Sequence, residues 1–314
     1  MLNKILETSK NVANSAKFVS INYEKADKLL LELKEFNNTH YLLNVLDDIA
    51  NMDTRTIIDF LFVFHAIGFS FWGEPKWTVK ISEKEYDGSM ALLQSILKLF
   101  KDIEYKNIWD FLEDIELEEF KKILKGNVEI PMIIKRYNII REVAGIVNNK
   151  MNGDIYTIIK DMQNDKAVLE FIINNFPSFK EERSYEGKTI YFYKLAQLLT
   201  SDILHIIEFK ENKKLDYSNL VGCADYKIPQ VMHLLGILEY SEELLNFIKN
   251  KVEIEENYKY EVEIRASMIV VIDYIWNKSG KVTDRIVIND YIWLKGQDKK
   301  LNFIPYHRTR TSSY

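Results

Sequence analysis

FYKLAQLLTSDILHIIEF (Phe192–Phe209) and DYSNLVGCADYKIPQVMHLLGILEYS (Asp216–Ser241), joined by a charged connection, decide how this chain folds. In the first segment Leu195, Leu198, Leu199, Ile203 and Ile206 recur at the three-and-four spacing of a buried helix face, and Lys194 enters with that helix. Residues 210–214 hold three lysines and read as a solvated loop. A second apolar periodic run continues to Leu238, with Pro229 suited to its first turn, where a missing N–H costs nothing. Asp225 stands just ahead of that helix, where the dipole favours the ionised form. The expectation is helix, loop, helix, with a lysine on the first element and a carboxylate at the mouth of the second. Residue type and spacing alone are equally met by a solvated charge and a helix cap.

Outward from this stretch the chain stays largely helical. Ser241 is placed to cap a helix opened by Glu242 and Glu243. EVEIRASMIVVIDYIW (Glu261–Trp276) becomes almost wholly apolar and must be central, with Arg265 an ion-pair partner or a phosphate ligand, the former being commoner. Residues 3–36 read as two helices, the second capped by Ser20. The apolar Thr54–Phe71 segment fits a buried helix, or a helix followed by a strand, and His65 within it reads as a satisfied core histidine. Trp77–Ile81 reads as a strand ending at an Asp87-Gly88 turn, within a small antiparallel sheet, and 188–193 as a short strand or the lead into the central helix. Glu116, Glu118 and Glu119 fit a solvated helix face, Gly126 a C-cap, and Pro131 the start of a further helix. No repeat, heptad series or low-complexity linker divides the 314 residues, so one domain is expected, with a helical and small-sheet part to about 130 and a helical part beyond.

Few glycines and prolines, with abundant Leu, Ile, Lys and Glu, favour helix. A net charge of -5 argues against a duplex-binding stripe. The single cysteine, Cys223, excludes an internal disulfide and multi-thiolate metal sites, and no metal or cofactor is called for. No apolar run approaches the roughly 18 residues of a membrane span and no signal peptide is evident, so a soluble cytoplasmic protein is expected.

NFPSFKEE (Asn175–Glu182), FYKLAQ (Phe192–Gln197), ADYKIPQ (Ala224–Gln230), LGILEYSEEL (Leu235–Leu244), EVEIRA (Glu261–Ala266) and PYHRTRTSSY (Pro305–Tyr314) occur in one order, preceded by GFSFW (Gly68–Trp72) and IPMIIKRYNIIREVAG (Ile130–Gly145). Together they resemble the queuosine salvage protein family, the queuosine 5'-phosphate N-glycosylase/hydrolases, from about Phe18 to the last residue. The resemblance implies a mainly α, DNA-glycosylase-like fold of the helix-hairpin-helix type, in which an aspartate after the hairpin faces the anomeric carbon of a nucleoside. It implies release of queuine, or a related 7-deazaguanine, from queuosine 5'-monophosphate, a salvage step for tRNA modification.

Cleaving a ribosyl C1'–N bond passes through an oxocarbenium-like state that needs a fixed carboxylate near C1'. A 7-deazaguanine lacks N7, so help for the leaving group must come from elsewhere on the ring. The resemblance assigns the C1' carboxylate to Asp225, as nucleophile or electrostatic stabiliser. Lys194 would hold the 5'-phosphate or keep that aspartate ionised. Cys223, Tyr226, Asn289 and Asp290 would line the base pocket, with Leu294 near it and His40 on the opposite wall. His307, Arg308 and Arg310 of the tail either bind an anion or anchor the tail, and anchoring is preferred. The chain departs from the family pattern. Leu195 replaces an arginine, Cys223 a phenylalanine, Lys227 an arginine, and Asn289 and Leu294 two aspartates, while Gly88–Leu92 lacks two aromatics. A lost stacking ring is worth about 1–3 kcal/mol per base. The competing readings are a DNA or RNA base glycosylase, and a non-catalytic deazapurine-nucleotide-binding relative.

Overall fold

In the computed structural model, residues 2–33, 52–102, 107–162, 164–298 and 300–314 are described; His40 lies outside them. The fold is mainly helical, with three two-stranded antiparallel sheets among the described residues. Order along the chain is α1 (Leu2–Ser15), β1 (Val19–Ile21), α2 (Tyr23–Leu33), α3 (Thr54–Ala66), β2 (Thr78–Ile81), β3 (Lys84–Asp87), α4 (Gly88–Asp102), α5 (Ile108–Asp114), α6 (Leu117–Ile123) and α7 (Ile133–Met151). There follow α8 (Tyr156–Ile159), α9 (Asp165–Asn175), β4 (Glu182–Tyr185), β5 (Lys188–Tyr191), α10 (Lys194–Glu211), α11 (Lys227–Leu234), β6 (Leu238–Tyr240), α12 (Glu242–Lys249), α13 (Lys259–Lys278) and α14 (Arg285–Lys295).

Helix starts follow local chemistry. Thr56 N–H donates to Asp53 at 3.0 Å, Trp109 N–H to Asn107 at 3.0 Å, Ala167 N–H to Asn164 at 2.9 Å and Leu244 N–H to Ser241 at 3.3 Å. The expected helix–loop–helix is present as α10 and α11. α10 packs on α3 and α9, and α13 on α1, α2 and α14. One apolar core runs through both halves of the chain, from Ile5 on α1 to Ile292 on α14. No described helix is long and apolar enough to cross a membrane.

Four local expectations are corrected. Ser20 is not a cap: it lies in β1, opposite Glu239 of β6, and Asn22 accepts the Lys25 N–H at 3.1 Å instead. The second helix of the central stretch stops at Leu234. Gly236 (φ +70°) turns the chain and Leu238–Tyr240 becomes a strand, because an apolar run bounded by glycine serves either structure. The β2–β3 hairpin turns at Ser82 (φ +53°), not at Asp87-Gly88, and Gly88 begins α4. Gly126 is not a C-cap; a Cβ there would collide with the Trp77 indole and the Thr78 carbonyl.

Candidate active site

The loop from Asn219 to Tyr226 runs through the interior, and a buried loop must satisfy its backbone polar groups. Polar side chains from four helices do this. The Asp165 carboxylate of α9 accepts the N–H groups of Asn219 (2.7 Å) and Leu220 (2.9 Å). Gln197 of α10 accepts from Val221 N–H at 3.0 Å, and its amide donates to the carbonyls of Gly222 (3.0 Å) and Phe192 (2.8 Å). Asn289 of α14 accepts from Cys223 N–H at 2.8 Å, and Arg265 Nε of α13 donates to the Ala224 carbonyl at 2.8 Å. Gly222 (φ +121°) sits where a Cβ would press on Ile272, so the loop turns there only with glycine. Arg265 is an ion-pair partner, as expected, paired with Glu181 (2.6 Å) and Glu261 (2.7 Å) and sandwiched between the Phe192 and Tyr314 rings.

The loop delivers Asp225 to the start of α11. One carboxylate oxygen, Oδ1, accepts the N–H groups of Lys227 (2.9 Å) and Ile228 (2.8 Å). Among the described residues Oδ2 has no hydrogen-bond partner, and Asp225 lines a cavity of about 270 Å³. Lys194 opens α10 from the other side, directly after Tyr193, a bulky residue held in the left-handed region at φ +49°. Its backbone N–H donates to Glu181 at 3.0 Å. Its ammonium has no hydrogen-bond partner among the described residues, although only 8% of the residue is exposed, and it faces the same cavity.

The electrostatics differ from the dipole expectation. Burial raises the Asp225 carboxyl above the ordinary carboxylate range; Lys194 and the two backbone N–H groups oppose that rise without cancelling it. Burial likewise pushes the Cys223 thiol well above its usual value, so it is a neutral wall and not a thiolate. Lys227, partly buried, is pushed down by desolvation and is held by Gln230 Oε1 at 3.2 Å.

Seven of the eight residues singled out from sequence line this one cavity: Lys194, Cys223, Asp225, Tyr226, Asn289, Asp290 and Leu294. The eighth, His40, lies outside the described residues. Asn289 has both ends of its amide committed, to Cys223 N–H and to the Asp290 carboxylate at 3.1 Å, which leaves it aiming its neighbours more than meeting a ligand. Tyr226 is covered by Tyr306 and Tyr314, with ring centroids 4.6 and 6.3 Å away. Gly88, Ser89 and Met90 form part of the cavity wall. The tail is anchored, as preferred: Arg308 pairs with Glu74 at 2.6 Å, Arg310 lies 3.7 Å over the Trp72 ring, and Ser70 holds the Thr311 carbonyl at 2.7 Å. Burial and Arg265 together bring His307 down to about 3, so it stays neutral.

Sequence reasoning missed His65, Trp293 and Gln297, which also line the cavity. His65 does have the core partner expected of it, Asp202, at 2.6 Å. Its place on the cavity wall had no local signal.

Fold and site together define a mainly helical protein with a partly open pocket of about 270 Å³ lined by lysine and aspartate side chains among apolar ones. The family model described as "Queuosine salvage protein" matches residues 48–314, and the chain belongs to that family. A protein of Sphaerobacter thermophilus named queuosine 5'-phosphate N-glycosylase/hydrolase is 31% identical over 83% of this chain and 82% of its own length. Proteins of the same name from Mus musculus (26% identical, 98% of each chain) and Dictyostelium discoideum (28%, covering 100% of this chain and 99% of that one) are similar along the whole length.

Proposed function

We propose that this chain is a one-domain hydrolase that cleaves the N-glycosidic bond of queuosine 5'-monophosphate, or a related 7-deazaguanine nucleotide, and releases the base in the cytoplasm for tRNA modification. One observation carries the reading: Asp225 spends one oxygen on the start of α11 and keeps the other for a cavity it shares with the Lys194 ammonium, which has no hydrogen-bond partner among the described residues. A carboxylate fixed by two backbone N–H groups cannot swing away from the positive charge that grows on C1'. Lys194 supplies the nearby cation that limits how far burial neutralises Asp225, and is also placed to meet a phosphate. Asp290, aimed by Asn289, takes an N–H edge of the base, with Trp293 and Leu294 beside it.

The test is incubation of the purified chain with queuosine 5'-monophosphate, queuosine and guanosine 5'-monophosphate, followed by chromatography for free base. Queuine release from the phosphorylated deazapurine, reduced about 10²–10³-fold in Asp225→Asn, is the expected result. Release at the wild-type rate by Asp225→Asn, or no release from any deazapurine nucleotide, refutes the reading.

A further inference from the structure

His65 and Asp202 form a buried pair that the reaction as described does not use. The two residues are 1% and 0% exposed, and His65 Nε2 lies 2.6 Å from Asp202 Oδ2. That contact fixes the proton on Nε2, since a carboxylate only accepts. In that tautomer Nδ1 carries the lone pair. It has no hydrogen-bond partner among the described residues, and His65 lines the cavity. Lys194, Leu198 and Asp202 follow one another at four-residue spacing along one side of α10; Lys194 and Leu198 line the cavity together with His65, and Asp202 stands behind the His65 ring. Cys223, Asp225 and His65 line the same cavity. Core filling alone would call for neither a buried carboxylate nor an imidazole nitrogen left open to a cavity.

We infer that His65, oriented by Asp202, is a further catalytic residue: it takes the proton of the attacking water and hands it to the departing base. This rests on the N-glycosidic reading above. The water oxygen bonds to C1' while the C1'–N bond breaks, and the electron pair of that bond stays on the base nitrogen. The water proton moves to Nδ1, giving an imidazolium that Asp202 stabilises. The same proton then passes to the base nitrogen, so the ring is restored and no further reactant is needed. Asp225 faces the oxocarbenium charge without forming a bond to it. A 7-deazaguanine, which cannot be protonated at N7, gains from a proton delivered this way.

The experiment compares kcat and KM for queuosine 5'-monophosphate in wild type, His65→Gln, His65→Ala and Asp202→Asn, with circular dichroism to confirm folding. The expected result for His65→Gln is a kcat loss of about 10²–10⁴-fold at nearly unchanged KM. His65→Ala regains at least about 10-fold when imidazole is added to fill the gap, and Asp202→Asn, which lacks the charge behind the ring, loses at least about 10-fold in kcat. Where the His65 variants do not fold, Asp202→Asn decides by the same criterion. Wild-type kcat in the folded variants, or a loss that imidazole does not restore and Asp202→Asn does not share, overturns the role. A wild-type chain that releases base alongside unimpaired variants removes this inference alone, whereas a wild-type chain that releases none removes both readings.

Discussion

Gln197→Met tests whether the interior loop is what holds the site. Gln197 is fully buried and makes three hydrogen bonds, at 2.8, 3.0 and 3.0 Å, to Phe192, Gly222 and Val221. Methionine matches its length and shape but offers none of them. The Val221 N–H, in a residue only 3% exposed, is left without an acceptor, which costs about 1–3 kcal/mol. Each of the two carbonyls loses a donor, worth about 0.5–1.5 kcal/mol apiece. Burying a thioether in place of an amide returns roughly 1–2 kcal/mol. The net destabilisation is then roughly 1–4 kcal/mol, read from urea unfolding of the full chain. The effect on catalysis is larger in proportion, because Val221 and Gly222 lead directly into Cys223 and Asp225; a shift near 1 Å costs about 10² in rate. A loss in kcat should therefore accompany the loss in stability. Unfolding within about 0.5 kcal/mol of wild type, together with undiminished base release, refutes the idea that α10 positions the loop.

Lys194→Met moves the acid limb of the kcat profile to higher pH: Asp225 works as an anion, burial raises its carboxyl, and Lys194 is the strongest group opposing that rise; a profile from pH 4 to 8 that does not move, or moves down, contradicts this. Asp59, buried beside the Trp109 indole at 3.0 Å, is pushed by burial to about 7 from an ordinary 3.8. The folded chain keeps this proton until about pH 7 while the unfolded chain releases it near 4, so stability from the group is full below pH 4 and falls as pH rises to 7, by roughly 4 kcal/mol. Asp59→Asn, whose amide oxygen still accepts from Trp109, should gain on wild type between pH 4 and pH 8 in urea unfolding, and a difference that stays flat with pH refutes it. Gly126→Ala drives a methyl into the Trp77 indole and the Thr78 carbonyl and should cost about 1–3 kcal/mol; a change under about 0.5 kcal/mol in chemical denaturation shows that the β2 end yields.

What could be read from the chain divides by range. The apolar face of α10, the cap at Ser241 and the start of α11 depend on residues three or four positions apart, and all were legible. The β1–β6 pair depends on Val19 meeting Tyr240. Neither strand is longer than three residues, and no local pattern announces such a partner. Gly236 was the available signal that the apolar run ends before Leu238. Trp77 explains Gly126 only after the hairpin has folded back over it.

The site divides the same way. Asp225 and Lys194 were found through the words around them, but what aims them was not. Gln197, Asp202, Arg265 and Asn289 are polar residues on helices that otherwise bury apolar faces, and each is 3% exposed or less. A polar group in that position is unfavourable unless a partner reaches it. Its presence in an apolar run therefore states that another element must arrive with a complementary atom, without saying which. For Gln197 and Asn289 the partner is the backbone of one loop, 24 and 66 residues away; for Asp202 it is His65, 137 residues away. α10 thus contributes two buried obligations and α13 and α14 one each, and the pocket forms where those obligations are met together. This is why the side chains that face the cavity, such as Cys223 and Leu294, can differ in what they offer a ligand while the loop that delivers Asp225 stays held by hydrogen bonds from four helices.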